Sequence, residues 1–84
     1  MRVETIDEPI QVRADFRGGV ITPVGFRRGA MDYRVRRVNV RWVDRERAGH
    51  VYHFSVTVDS GDTCRLRLDA GSMTWRLESV MMDG

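Results

Sequence analysis

Eight arginines fall between Arg27 and Arg47, out of fourteen basic residues in the chain, and all fourteen are arginine. A guanidinium is a planar fork of fixed charge that pairs bidentately with carboxylate or phosphate, so its local density is a chemical signal. Residues 1–26 carry three arginines against four acids, residues 27–47 eight against three, and residues 48–84 three against five. A net charge of +2 therefore conceals a basic middle of +5 between ends of −1 and −2. Such asymmetry marks a surface for an anionic partner, nucleic-acid phosphate above all. The candidate contacts are Arg27, Arg28, Arg34, Arg36, Arg37 and Arg41. GC-rich coding explains the lack of lysine, but not the clustering of the arginines.

Other reactive side chains are sparse. His50, His53 and Cys64 are the metal ligands of the usual nitrogen and sulfur kind. Strand alternation sends His53 and Cys64 to opposite faces, and no paired cysteine motif exists, so no metal site is expected and Cys64 reads as a small buried hydrophobe. Ser55, Thr57, Cys64 and His53 supply nucleophile and base types. They lack any nucleophile elbow, Walker loop or dinucleotide fingerprint to assemble them, and Gly18-Gly19 reads as a turn. The expectation is a protein without catalysis or cofactor.

The elements that position these residues follow from length and pattern. Eighty-four residues, 42% hydrophobic and 31% charged, suit one globular domain of residues 1–84. No apolar run approaches the roughly 20 residues of a membrane span. Met1 to Glu8 carries Glu4, Asp7 and Glu8 and no apolar core of a signal peptide. With a single cysteine, this gives an expectation of a cytoplasmic protein, one that gains stability by dimerising in place of a disulfide.

Period-two alternation dominates, and no long stretch keeps helical spacing, so the chain reads as all-β. Ile10, Val12, Ala14 and Phe16 set the inner face of a first strand that ends at Arg17-Gly18-Gly19. Val20 to Phe26 is a poorer strand, because Pro23 lacks a ladder donor and Gly25 a side chain; an edge or bulge is expected there. Arg27-Arg28-Gly29-Ala30 turns the chain. From Met31 to Val43, Tyr33 and Val35 set one inward register while Val38, Val40 and Trp42 set the other. A one-residue bulge near Arg36-Arg37 reconciles them and projects Arg34, Arg36 or Arg37, Asn39 and Arg41 as an outward row.

Asp44 to His50 reads as a polar connection, after which Tyr52, Phe54, Val56 and Val58 alternate inward. A three-residue loop at Asp59-Ser60-Gly61 pairs Val56 with Cys64, Phe54 with Leu66 and Tyr52 with Leu68. The turn at Asp69-Ala70-Gly71-Ser72 then pairs Leu68 with Met73, Leu66 with Trp75 and Cys64 with Leu77, leaving Arg65, Arg67 and Arg76 on the polar face. Thr5-Ile6-Asp7-Glu8 fits a capping box, but Pro9 and the alternation after it argue against a helix. Five to six short antiparallel strands are expected in a meander, forming a small SH3-like, partly open barrel or a strongly twisted sheet.

The run Pro23-Val24-Gly25-Phe26, Arg28-Gly29, Tyr33-Arg34-Val35, Val38 and Trp42, then Tyr52 to Val58, a glycine-containing turn, Leu66-Arg67-Leu68 and Trp75-Arg76-Leu77-Glu78-Ser79-Val80, resembles a small bacterial all-β domain family of unknown function. The resemblance spans roughly residues 10 to 80. This chain departs from the family pattern by lacking a tryptophan just before the Arg-Gly turn and by a longer Gly29-Ala30-Met31-Asp32 step. The resemblance implies the β fold and, through an association with translesion-polymerase-like proteins, a setting in DNA repair. It carries over no catalytic residue.

Two functional readings stand. One is a non-enzymatic binding module whose arginine-rich strand contacts DNA or RNA phosphates. The other is a protein-interaction or homodimerisation domain that uses an exposed edge strand and Val80-Met81-Met82. An arginine row also reads simply as a solvated face. Phe16, Phe26, Tyr33, Trp42, Tyr52, Phe54 and Trp75 default to the core, with Tyr33 and Trp42 the candidates for base stacking beside Arg34 and Arg41.

Overall fold

In the computed structural model the described residues are 2–47 and 49–82. Six antiparallel strands follow one another as a meander: β1 (Arg2–Arg17), β2 (Val20–Arg28), β3 (Met31–Glu46), β4 (Gly49–Val58), β5 (Thr63–Asp69) and β6 (Thr74–Met82). The first strand is long because it serves two ladders. Arg2 to Ile10 pairs with β6, and Gln11 to Arg17 pairs with β2, so the hydrogen-bond ring closes. β3 changes partner in the same way, from β2 along Met31–Arg34 to β4 along Val35–Glu46. No helix among the described residues is long and apolar enough to cross a membrane.

The ring encloses Phe26, Phe54, Val56, Val58, Cys64, Leu66, Leu68 and Leu77, all nearly inaccessible, with Ile10, Val12, Tyr33 and Trp75 packed around them. β4 and β5 supply most of this core because their alternation is clean and both are paired on each side. Each large aliphatic side chain buried here contributes about 1.5–3 kcal/mol. Two hydrogen bonds, Val58 N to Asp62 O at 3.0 Å and Gly61 N to Val58 O at 2.9 Å, close the β4–β5 loop, with Gly61 at φ 95°. The register is the expected one: Val56 faces Cys64, Phe54 faces Leu66 and Tyr52 faces Leu68.

The β5–β6 hairpin differs from expectation by two residues or more. Leu68 pairs with Trp75, Leu66 with Leu77 and Cys64 with Val80, rather than with Met73, Trp75 and Leu77. Asp69 Oδ1 accepts from Gly71 N at 3.0 Å and Ser72 N at 3.4 Å, and Met73 turns through φ 56°, so the connection is longer. Glu78 then adds a bulge opposite Arg65 and Leu66.

β3 carries two register shifts. The first, between Val35 and Arg37, is the expected bulge; the second, between Val38 and Val40, reverses the phase again. Val40 and Trp42 therefore share the outer face with Ser55 and His53, and Arg41 stands opposite core Phe54. The expected outward row is broken at Arg41. The polar connection is also shorter than expected, since β3 runs to Glu46 and β4 begins at Gly49.

Thr5–Glu8 forms no helix; it belongs to β1, which begins earlier than the alternation from Ile10 suggested, and it carries a bulge: Asp7 adopts φ 53°, and Arg76 clamps it through Nε to Asp7 Oδ1 and Nη2 to Asp7 O, both 2.8 Å. Leu66→Ala is expected to cost about 2–5 kcal/mol in urea unfolding, and Val40→Ala at its 55% exposed position less than about 0.5. A comparable loss at Val40 would return that residue to the core and remove the second shift.

Candidate functional site

The outer face of β1, β2 and β3 is concave where the three strands overlap. Arg13 on β1 pairs with Gly25 on β2, which pairs with Arg34 on β3, so two arginines flank a position without a side chain. Two ladder spacings put their Cα atoms about 10 Å apart on one face. The next row is Gln11, Arg27 and Asp32. Together these six residues border an open groove of about 630 Å³.

The sequence builds the groove through β2. A Cβ at Gly25 would stand 3.1 Å from the Tyr33 carbonyl, so glycine lets β2 and β3 approach while leaving the floor bare. Pro23 and Gly25 bracket the residue that opposes no partner, at the register shift between Arg13 and Ala14. This bulge is where the sequence expected one, and bulges of this kind bend and twist a strand. Beneath the floor, Phe26 stacks on Tyr33 at 4.8 Å and fixes the two strands from inside.

Charge in the groove is only partly neutralised. Arg27 donates to Asp32 through Nε at 3.0 Å and Nη2 at 3.5 Å, in a pair exposed on both sides and worth about 0–1 kcal/mol. Arg13 and Arg34 have no carboxylate partner among the described residues. Three arginines against one aspartate leave an excess positive charge over a concave surface.

The remaining arginines named from the sequence lie elsewhere. Arg28 turns inward and donates from Nε and Nη2 to Glu8 Oε2 at 3.1 and 2.9 Å. That hydrogen bond raises the Arg28 pKa further, against the opposing desolvation, with smaller help from Tyr33. Arg36 folds onto the carbonyl of Asp59, and Arg37 donates to Asn39 Oδ1 at 2.8 Å. Arg41 reaches the Ile21 carbonyl and Thr22 Oγ1, both at 3.5 Å. Only Arg27 and Arg34 of the original set border the groove. Arg13 and Gln11 were missed, because their placement depends on the register of β1 across β2 to β3.

A second constellation lies on the outer face of β3, β4, β5 and β6. His53, 8% exposed, stacks under Trp42 at 5.1 Å and 7°, and Arg65 sits 5.3 Å from the Trp42 ring. Nδ1 is 3.3 Å from Glu78 Oε1. Nε2 is 3.1 Å from Asp44 Oδ2 but out of line for a hydrogen bond. The two carboxylates face opposite ring nitrogens, so one ion cannot bind both through His53. The arrangement ties four strands together. Trp42, one of the two aromatics singled out for base stacking, is thus engaged with His53, and Tyr33 with Phe26.

Cys64 is 1% exposed, and burial pushes its thiol up to about 11, with Asp62 adding and Arg28 opposing. At pH 8 only about one molecule in a thousand then carries the thiolate. The native protein should leave a disulfide thiol reagent unconsumed over the time in which urea-unfolded chains react fully; rapid native reaction would contradict this burial. Comparison of the chain with protein-family models, with curated proteins and with solved structures finds no match.

Proposed function

We propose that the protein is a non-enzymatic binding module whose β1–β2–β3 groove holds the phosphates of a nucleic-acid strand. One observation carries this reading: Arg13 and Arg34 project from the same concave face, on either side of Gly25, with no carboxylate partner among the described residues. Guanidinium forks on both walls approach a phosphodiester from two sides, and the bare floor lets the backbone lie close to the peptide plane. Arg27 joins as a third contact by exchanging Asp32 for phosphate, at small cost because the pair is exposed. Contacts of this kind fix position without reading sequence. The family resemblance implies DNA metabolism as the setting.

Less supports an edge-strand contact. Val80 and Met81 are paired on both sides, with Glu4 and Val3 of β1 and with Cys64 and Thr63 of β5, and Met82 pairs with Arg2 of β1. On β2, the stretch preceding Gly25 has no β3 partner, but Pro23 interrupts its donors and Arg41 covers the Ile21 carbonyl.

Anisotropy titration of a labelled oligonucleotide tests the groove. Arg13→Glu with Arg34→Glu should weaken binding roughly tenfold or more and reduce the salt slope by about 1.4 on a single strand. Arg2→Glu, distant and paired with Glu4, should leave both unchanged. Equal affinity for the double variant and the parent would end this reading.

A further inference from the structure

The β1–β2 hairpin extends past the groove and ends in side chains that the core does not use. Phe16 is 67% exposed, more than any other large hydrophobic residue among those described, and Val20 is 46% exposed. Alternation assigns Phe16 to the inner face, and its cross-strand neighbour Ile21 does pack against the core, but the ring itself protrudes beyond it. The turn between β1 and β2 is a tight two-residue one. Gly18 and Gly19 have φ values of 57° and 79°, matching the two left-handed positions of a tight hairpin turn whose twist suits the flanking strands. An aromatic ring is therefore carried near the projecting end of a hairpin closed by two glycines.

Its neighbours along the strand are Asp15 and Arg17, and alternation points Arg13, Asp15 and Arg17 to the face opposite the ring. Arg17, directly after Phe16, has no carboxylate partner among the described residues, and Arg13 lies four positions back on the same strand. Four residues of strand span about 13 Å, so a polynucleotide whose phosphate sits at Arg13 reaches the tip within a few nucleotides. An exposed aromatic on a hairpin that also carries arginines without a carboxylate partner among the described residues offers a face on which unpaired bases stack, whereas a base in a duplex has its faces occupied. A lone ring without phosphate contacts would carry no such reading, and here the two occur on one hairpin.

We infer that the hairpin tip is a base-stacking platform, with Phe16 the residue that makes the protein favour unpaired over duplex nucleic acid. The inference rests on the groove reading and adds a base contact to it. Phe16 determines preference for unpaired bases, while Arg13 and Arg34 supply the phosphate attraction common to all strands.

The experiment measures affinities of the full chain for a single-stranded DNA oligonucleotide, an abasic strand of equal length, and the duplex. The parent should bind the single strand more tightly than the abasic strand. Phe16→Ala and Phe16→Leu should lose about fivefold or more on the single strand while keeping the abasic affinity and the salt slope, and Phe16→Trp should retain the preference. Because Phe16 is exposed, the variants should keep the parent's thermal midpoint, which separates lost stacking from lost fold. Unchanged single-strand affinity in Phe16→Ala, or an equal loss on the abasic strand, would overturn the inference. Loss of binding to all three probes in the double Arg13 and Arg34 variant identifies the groove independently, so a failed tip and a failed groove give different results.

Discussion

Everything in this molecule depends on the change of partner along β1. A strand that paired with β2 alone would leave β6 as an open edge and the core layer of Leu66, Leu77 and Trp75 uncovered on one side. By giving its first half to β6 and its second half to β2, β1 satisfies the backbone groups of both neighbours and closes the ring around the core. For a chain of 84 residues with one cysteine, this closure substitutes for a covalent staple.

The same geometry produces the groove. Since β1 and β3 each pair with β2 over only part of their length, the three strands overlap in a short patch of Gln11–Arg13, Gly25–Arg27 and Asp32–Arg34. Outward side chains in that patch surround a glycine beside the register shift of β1 on β2. Arginines placed there converge. On the outer face of β4, β5 and β6, by contrast, Arg67 pairs with Glu46 at 3.9 Å and Arg76 with Asp7 at 2.8 Å, so charge is interleaved with acids. The distribution of acids, more than the number of arginines, distinguishes the two surfaces.

What could be read from the sequence follows from period two. The β4–β5 register was legible because slipping Val56 by one residue would put it against Arg65, which the core forbids. The β5–β6 register was not, because a slip by two preserves both faces, and the decision falls to the Asp69 turn. In β3, alternation took Val40 and Trp42 as inward because apolar residues usually are. The structure spends Trp42 on covering His53 outside the ring, an arrangement that only the placement of Asp44 and Glu78 explains. For the site, Arg27 and Arg34 were visible in the basic cluster. Arg13, alone among β1 residues in reaching across Gly25, lies outside that cluster and needed the ladder itself.

The most direct test of the groove is a titration of isotopically labelled protein with a short single-stranded oligonucleotide, followed by backbone amide and arginine Nε–H resonances. The Gly25 amide and the side chains of Arg13 and Arg34 should shift first and saturate together, while Arg67 and Arg76 stay in place. Shifts centred on Arg65, Arg67 and Arg76, or none at concentrations that saturate binding, would contradict the account.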